Sequence, residues 1–314
     1  MADPPPTRLL EPAALMRIRS LELRARIVVE GFLSGIHRSP YHGFSAEFSE
    51  YRQYVPGDDL RHIDWRVYGR SDRYFVKKYE DETNLRCQLL VDGSRSMSYG
   101  STPGLTKHGY AATLAATLAH FLSGQGDAVG VTRFDERIVD YLPARNRPGH
   151  LRRLMLSLER PAEGRSTSFG EPLERVAQMH DRRGLFVLLS DFLAPLEELE
   201  RQLGLLRARG HEVLVFRVLD PRELDFGFDR AARFTGLESG RQQFIDPDRA
   251  RDGYLERFGE HQEALRGICR RTGIDFVLSP SDRPLDLALY DFLSSRTRRG
   301  PDPGRARPNL RRAS

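Results

Sequence analysis

From Arg86 onward, apolar runs of five to seven residues recur at Cys87–Val91, Ala128–Phe134, Leu185–Ser190, Val213–Leu219 and Ile274–Leu278. Runs this short, rich in Val, Leu, Ile and Phe, predict buried β-strands. Helical stripes separate most of them: Leu114, Leu118, Phe121 and Leu122; Leu173, Val176 and Ala177 behind Pro172; Leu196, Leu199, Leu203 and Leu206 behind Pro195; and Leu285, Ala288, Leu289 and Phe292 behind Pro284. Strands alternating with helices imply crossover connections and a doubly wound, mainly parallel sheet covered on both faces, an α/β fold. The Ala128–Phe134 run breaks the alternation. Arg137–Leu142 follows it after only Asp135-Glu136, so a hairpin and one antiparallel edge strand are expected. A second hairpin, Phe234–Leu237 with Gln242–Ile245, reads as an insertion around Ser239-Gly240.

Before Arg86 the pattern is weaker. Residues 1–16 are rich in proline and predict a flexible tail. Ile18, Leu21, Ala25, Val28 and Phe32 form one helical stripe, with Gly35 placed to close it. Residues 37–84 carry Arg, Asp, Tyr and Gly without a long period, hold the only tryptophan, Trp65, and predict irregular or short β structure. Residues 296–314 are rich in Arg, Pro and Gly and predict a disordered tail.

Composition narrows the class. The 314 residues are 39% hydrophobic and 30% charged, enough for a sizeable core. No apolar run approaches the ~20 residues a membrane helix needs; the nearest, Ala111 to Leu122, is short and carries His120. Two cysteines, Cys87 and Cys269, make no disulfide framework and suggest a reduced, cytoplasmic protein. The formal net charge is +5, but residues 296–314 hold seven Arg and one Asp, a net +6, so the remainder sums to about −1. The body of the chain is therefore not a basic nucleic-acid binder.

The candidate chemistry sits at strand ends, where open parallel sheets bind ligands. The first regular strand runs into Asp92, Gly93, Ser94 and Ser96, the Leu185–Ser190 strand into Asp191, and the loop before the Leu173 helix offers Ser166, Thr167 and Ser168. Two carboxylates, several hydroxyls and no His or Cys form a hard donor set suited to Mg²⁺ or Mn²⁺. Ser94 and Ser96 are spaced to bind directly, with Asp92 and Asp191 acting through water. Rival readings lack parts. A hydrolase using Ser94 or Asp92 has neither G-x-S-x-G nor a histidine at a late strand end. An aspartyl-phosphate enzyme would need an acid where Ser94 stands. A nucleotide-binding loop is absent, and Lys107, after Gly104-Leu105-Thr106, does not make one.

The stretch Asp92-Gly93-Ser94-Arg95-Ser96-Met97 resembles the Asp-x-Ser-x-Ser signature of von Willebrand factor A domains, whose metal-ion-dependent adhesion site is completed by a Thr on a second loop and an Asp after a later strand. On that resemblance Thr167, in a loop that keeps the family spacing but carries Phe169 and Pro172, and Asp191 join Asp92, Ser94 and Ser96 as metal ligands. The block Tyr51–Glu82 is similar to the signature of the bacterial family named domain of unknown function number 58, which precedes an A-type domain. The resemblance implies an N-terminal helix and signature segment over 17–84 and an A-like domain over 85–295. It also implies a non-enzymatic, metal-dependent adaptor, whose open metal position takes a carboxylate from a protein partner, expected to be a MoxR-type AAA+ ATPase. Many such relatives carry N-terminal membrane helices; this chain is expected to be a soluble form. For Arg52, Asp58, Asp59, Arg61, Asp64 and Trp65 the expectation is a network of Arg–Asp pairs packed under the tryptophan.

Overall fold

The computed structural model describes residues 11–36, 51–53, 75–77, 85–164 and 166–299. Its centre is a six-stranded sheet formed by β3 (Arg86–Asp92), β4 (Ala128–Phe134), β5 (Ile138–Arg145), β6 (Leu185–Ser190), β7 (Glu212–Leu219) and β10 (Asp275–Pro280). The spatial order is β10-β7-β6-β3-β4-β5. All pairings are parallel except β4–β5, which is antiparallel as the short connection Asp135–Arg137 requires; β5 starts one residue later than the expected Arg137–Leu142 run and extends to Arg145. After β3 the chain steps to β4 and β5 on one side, then crosses back to β6 and β7 on the other. The order therefore reverses at the carboxyl end of β3, beside that of β6, and there a crevice opens.

The inner strands β3, β4, β6 and β7 are buried on both faces, and alternate residues feed two separate cores, while the edge strands β5 and β10 are mostly half-buried. Cys87, Leu89 and Val91 of β3 face one core with Val187, Leu189, Phe216 and Val218. Leu90 faces the other with Phe186, Leu188, Val213 and Val215. The first core is closed by α2 (Leu21–Ile36), α3 (Lys107–Gly124), α4 (His150–Leu158) and α9 (Leu285–Arg299). The second is closed by α5 (Gly170–Met179), α6 (Leu196–Ala208) and α8 (Pro247–Thr272). Between β7 and α8 lie a short α7 (Pro221–Asp225) and the expected insertion hairpin, β8 (Ala232–Thr235) with β9 (Gln242–Ile245). Among the described residues no helix is long and apolar enough to cross a membrane.

Both chain ends differ from the sequence expectation. Residues 12–15 form a helical turn, α1, with Leu15 buried in the first core, so packed structure starts inside the stretch read as a loose tail. At the other end α9 continues through Arg299, and the Arg296 guanidinium lies 3.8 Å from Glu212. Of the signature block, β1 (Tyr51–Gln53) and β2 (Phe75–Lys77) form an antiparallel pair. The proposed Arg–Asp network around Trp65 lies outside the described residues.

One buried group gives the fold a pH dependence. The His211 ring packs edge-on against Phe186, with centroids 4.6 Å apart, and neither ring nitrogen has a hydrogen-bond partner among the described residues. Burial, reinforced by His180 and Arg209, pushes its pKa down to about 4. Below an unfolded value of about 6.5 the unfolded chain takes a proton that the folded chain refuses, so stability falls as pH drops from 6.5 to 4. At about 1.4 kcal/mol per pH unit the ceiling is about 3 kcal/mol, or about 2 kcal/mol after solvent screening. Urea melts at pH 7 and pH 4.5 are expected to show His211→Leu losing less stability on acidification than the parent chain by that amount.

Candidate metal and ligand site at the strand tips

Asp92 ends β3 and is fully buried. Its Oδ1 accepts from the Ser94 backbone N–H at 2.8 Å and its Oδ2 from the Ser190 hydroxyl at 2.5 Å. Ser94 precedes the 3₁₀ turn Arg95–Ser98, but its hydroxyl makes no cap there. It lies 3.1 Å from the Ser96 hydroxyl, which donates to Asp191 Oδ2 at 2.7 Å. Asp191 follows β6 directly and is also fully buried. Asp92, Ser94, Ser96 and Asp191, nearly a hundred residues apart at the extremes, thus meet at the point where the strand order reverses.

The turn carrying Asp191 is held under strain. Phe192 has φ of +54°, a left-handed conformation that costs a non-glycine residue roughly 1–2 kcal/mol. Its ring is stacked on Phe169 at 5.3 Å, and Phe169 meets Phe134 edge-on at 5.5 Å. The Leu193 N–H donates to Asp191 Oδ1 and the Phe192 N–H to the Ser190 hydroxyl, so backbone donors orient the turn.

Thr167 is placed differently. The three hydroxyls of the second loop each reach a different carboxylate: Ser166 donates to Glu136, Thr167 to Glu238 of the β8–β9 turn at 3.0 Å, and Ser168 to Glu198. Among the described residues no hydrogen bond joins Thr167 to the other four expected ligands. The cap of α5 is not a loop hydroxyl either. Glu198, in the first turn of α6, accepts the Phe169 and Gly170 N–H groups at 2.8 and 2.6 Å, satisfying donors left open at that helix start.

Sequence reasoning missed the most consequential neighbour. The Lys107 ammonium, in the first turn of α3, donates to Asp191 Oδ2 at 2.8 Å and to Glu223 Oε1 at 2.7 Å, with its side chain 1% exposed. Burial alone would push the ammonium down. The Asp191 and Glu223 charges and their hydrogen bonds outweigh it and hold the pKa above the ordinary lysine value. Asp92 is pushed up, first by burial and then by the Asp191 charge, against the hydrogen bonds it receives. Glu223 itself closes the capping box of α7 with Asp220, whose Oδ2 accepts the Ser101 N–H. Arg217, fully buried on β7, donates to the Asp191 carbonyl and lies over the Phe258 ring. A signal for Lys107 was present: only three of the 49 basic residues are Lys. Where arginine is the default, a lysine marks a place for a compact point charge.

The donors fit a small hard cation in chemistry and in spacing. Adjacent oxygens around an octahedral Mg²⁺ with bonds near 2.1 Å lie about 3.0 Å apart; the Ser94–Ser96 and Ser96–Asp191 separations are 3.1 and 2.7 Å. Carboxylates alone do not make the site: among the described residues no three His, Cys, Asp or Glu side chains cluster to hold a metal. Beside Gly93 a cleft opens, lined in part by Arg133, Arg137 and Arg160 together with Asp135 and Glu163.

A mainly parallel sheet with one antiparallel edge, two helical layers and an Asp-x-Ser-x-Ser tip at the switch point defines a von Willebrand factor A-like domain. Residues 50–279 match the family described as protein of unknown function DUF58, and the chain belongs to that family. It is 29% identical over 293 residues to an uncharacterised protein of Mycobacterium tuberculosis, covering 92% of this chain and 91% of that one. An uncharacterised protein of Mycobacterium avium is 33% identical over 125 residues, or 40% of this chain and 72% of that one. Among solved structures, the conserved hypothetical protein BatB from Bacteroides thetaiotaomicron aligns at a TM-score of 0.44 and 13% identity, over 68% of this chain and 99% of that chain. The SpRpn10 VWA domain aligns at 0.38 and 11%, over 65% and 93%.

Proposed function

We propose that the chain is a non-enzymatic protein-interaction adaptor whose strand-tip site binds Mg²⁺ or Mn²⁺. The convergence of Asp92, Ser94, Ser96 and Asp191 at the switch point carries the reading. Ser94 and Ser96 would hold the ion, with Asp92 and Asp191 supporting it and Thr167 joining from the second loop once its hydroxyl leaves Glu238. A bound ion would supply a positive centre for a carboxylate of the partner, and the arginines of the neighbouring cleft favour an acidic segment there. The partner class is a MoxR-type AAA+ ATPase, as the family resemblance implies.

The hydrolase alternative finds little support. The hydroxyls of Ser94 and Ser96 contact each other, that of Ser96 donates to Asp191, and His108 faces the backbone carbonyls of Asp92 and Arg160. A serine without a base is not activated.

Calorimetric titration of the full chain with Mn²⁺ is expected to show one site, with Asp92→Ala weakening it at least tenfold, about 1.4 kcal/mol. Capture of the ATPase is expected with Mg²⁺ and to be lost in EDTA. Unchanged Mn²⁺ binding in a folded Asp92→Ala chain would remove the site, and equal capture with and without EDTA would remove the metal bridge.

A further inference from the structure

We infer that Lys107 is the resident cation of the strand-tip site: its ammonium occupies Asp191 when no divalent ion is bound, and a divalent ion enters by displacing it toward Glu223. This rests on reading the tip as a cation site, and it adds a residue that sets the site's affinity and selectivity.

Three observations carry it. Asp191 Oδ2 receives both the Ser96 hydroxyl and the Lys107 ammonium, so the oxygen that would face the ion is already neutralised by a fixed positive charge. The ammonium is buried and bonded to two carboxylates from different elements, Asp191 after β6 and Glu223 in α7. Glu223 is anchored by the Asp220 N–H at 2.9 Å and partly exposed, which makes it a second seat for the ammonium once Asp191 is taken. An ion held by Ser94 and Ser96, and reaching Asp191 through water, would lie close to an ammonium seated on the same carboxylate oxygen; two cations so near repel strongly in a buried site, so occupancy is exclusive.

The arrangement has a function the bare donor set lacks. Asp92 and Asp191 are both fully buried, and burying two carboxylates without a counter-ion is costly. With Lys107 in place the domain folds before any metal arrives, and the ion must outcompete an internal charge. Weakly held monovalent ions would then fail to enter, whereas a divalent ion gains twice the Coulomb energy. The partner's carboxylate would meet an ion only when its concentration is high enough to move the lysine.

The test uses the full chain, stripped with EDTA and titrated with Mn²⁺ by calorimetry, with thermal melts in parallel. Lys107→Met keeps the aliphatic stem and removes the charge. It is expected to bind Mn²⁺ at least tenfold more tightly than the parent chain, and its melting temperature is expected to rise with Mg²⁺ far more than the parent's, because the ion supplies the missing charge. Glu223→Gln leaves the ammonium but removes its second seat, and Mn²⁺ binding is expected to weaken several-fold. The opposite signs keep the inference testable if Lys107→Met folds poorly. Mn²⁺ binding by the parent chain that is unchanged in both variants would overturn the role of Lys107 and leave the metal site standing. Binding by neither the parent nor Lys107→Met would overturn the metal reading and the inference together. Binding by Lys107→Met alone would support Lys107 as the resident cation in its strongest form.

Discussion

Asp191→Ala is expected to destabilise the chain by about 3–5 kcal/mol in EDTA-containing buffer, with no metal or partner involved, since breaking a buried pair strands its other half. Asp191 is fully buried and accepts the Lys107 ammonium at 2.8 Å and the Ser96 hydroxyl at 2.7 Å. Its removal leaves Lys107 with Glu223 alone, in a place where water does not reach the ammonium. Relief of the repulsion that Asp191 exerts on Asp92 offsets part of the loss. For a domain of this size 1 kcal/mol moves the melting temperature by roughly 2–4 °C, so the shift is expected to be roughly 10 °C. Asp191→Asn, which keeps the shape and one acceptor oxygen, is expected to fall between. The prediction separates two roles. A carboxylate held only for a metal would be neutral or unfavourable in EDTA, and its removal would leave the melt unchanged or raise it. A drop of under 1 kcal/mol by urea unfolding would exclude a structural role for the pair.

The central sheet was legible because its inner strands are largely apolar and helices with prolines near their starts separate several of them. Ala128–Phe134 and Leu185–Ser190 fall where the pattern put them, and the antiparallel β5 follows from a three-residue connection. Two helices were not legible. In α8, 26 residues long, only the last third turns an apolar edge inward, through Leu265, Ile268 and Cys269, so most of its length shows no stripe. In α4, Leu154, Met155 and Leu158 are buried at helical spacing, yet Arg152 and Arg153 just before them and the exposed Leu156 among them mask the signal in a short window. At the tip, strand ends place Asp92 and Asp191 almost by themselves, and spacing brings in Ser94 and Ser96. Lys107 and Glu223 could not be placed by spacing, because neither is near the tip in sequence and their pairing depends on where α3 and α7 begin. Thr167 shows the complementary failure: the motif gives its position in the loop, but the carboxylate its hydroxyl meets comes from a hairpin more than seventy residues on.

Phe169→Ala is the other change expected to act strongly, because one side chain holds two loops of the site. The ring is fully buried, stacked on Phe192 and edge-on to Phe134, while its backbone N–H is fixed by Glu198. Truncating a buried Phe costs about 3–5 kcal/mol through lost burial and the cavity left behind, and each aromatic pair contributes about 0.5–1.5 kcal/mol of its own. The stack also opposes relaxation of Phe192 from its left-handed conformation. Without it the turn recovers roughly 1 kcal/mol of strain, which offsets about one of the two lost aromatic pairs and leaves a net loss of about 4–5 kcal/mol. That relaxation moves Asp191, the next residue back, and loosens the loop that carries Thr167. The loss of stability is therefore expected to come with weaker Mn²⁺ binding, whereas a core truncation at the far end of α6, Leu206→Ala, is expected to lower stability and leave Mn²⁺ affinity unchanged. Phe169→Leu keeps an apolar group of comparable bulk and is expected to lose under about 1.5 kcal/mol. Equal Mn²⁺ affinity in Phe169→Ala and Leu206→Ala, both measured well below their melting temperatures, would show that the aromatic stack supports the core and does not aim the carboxylate.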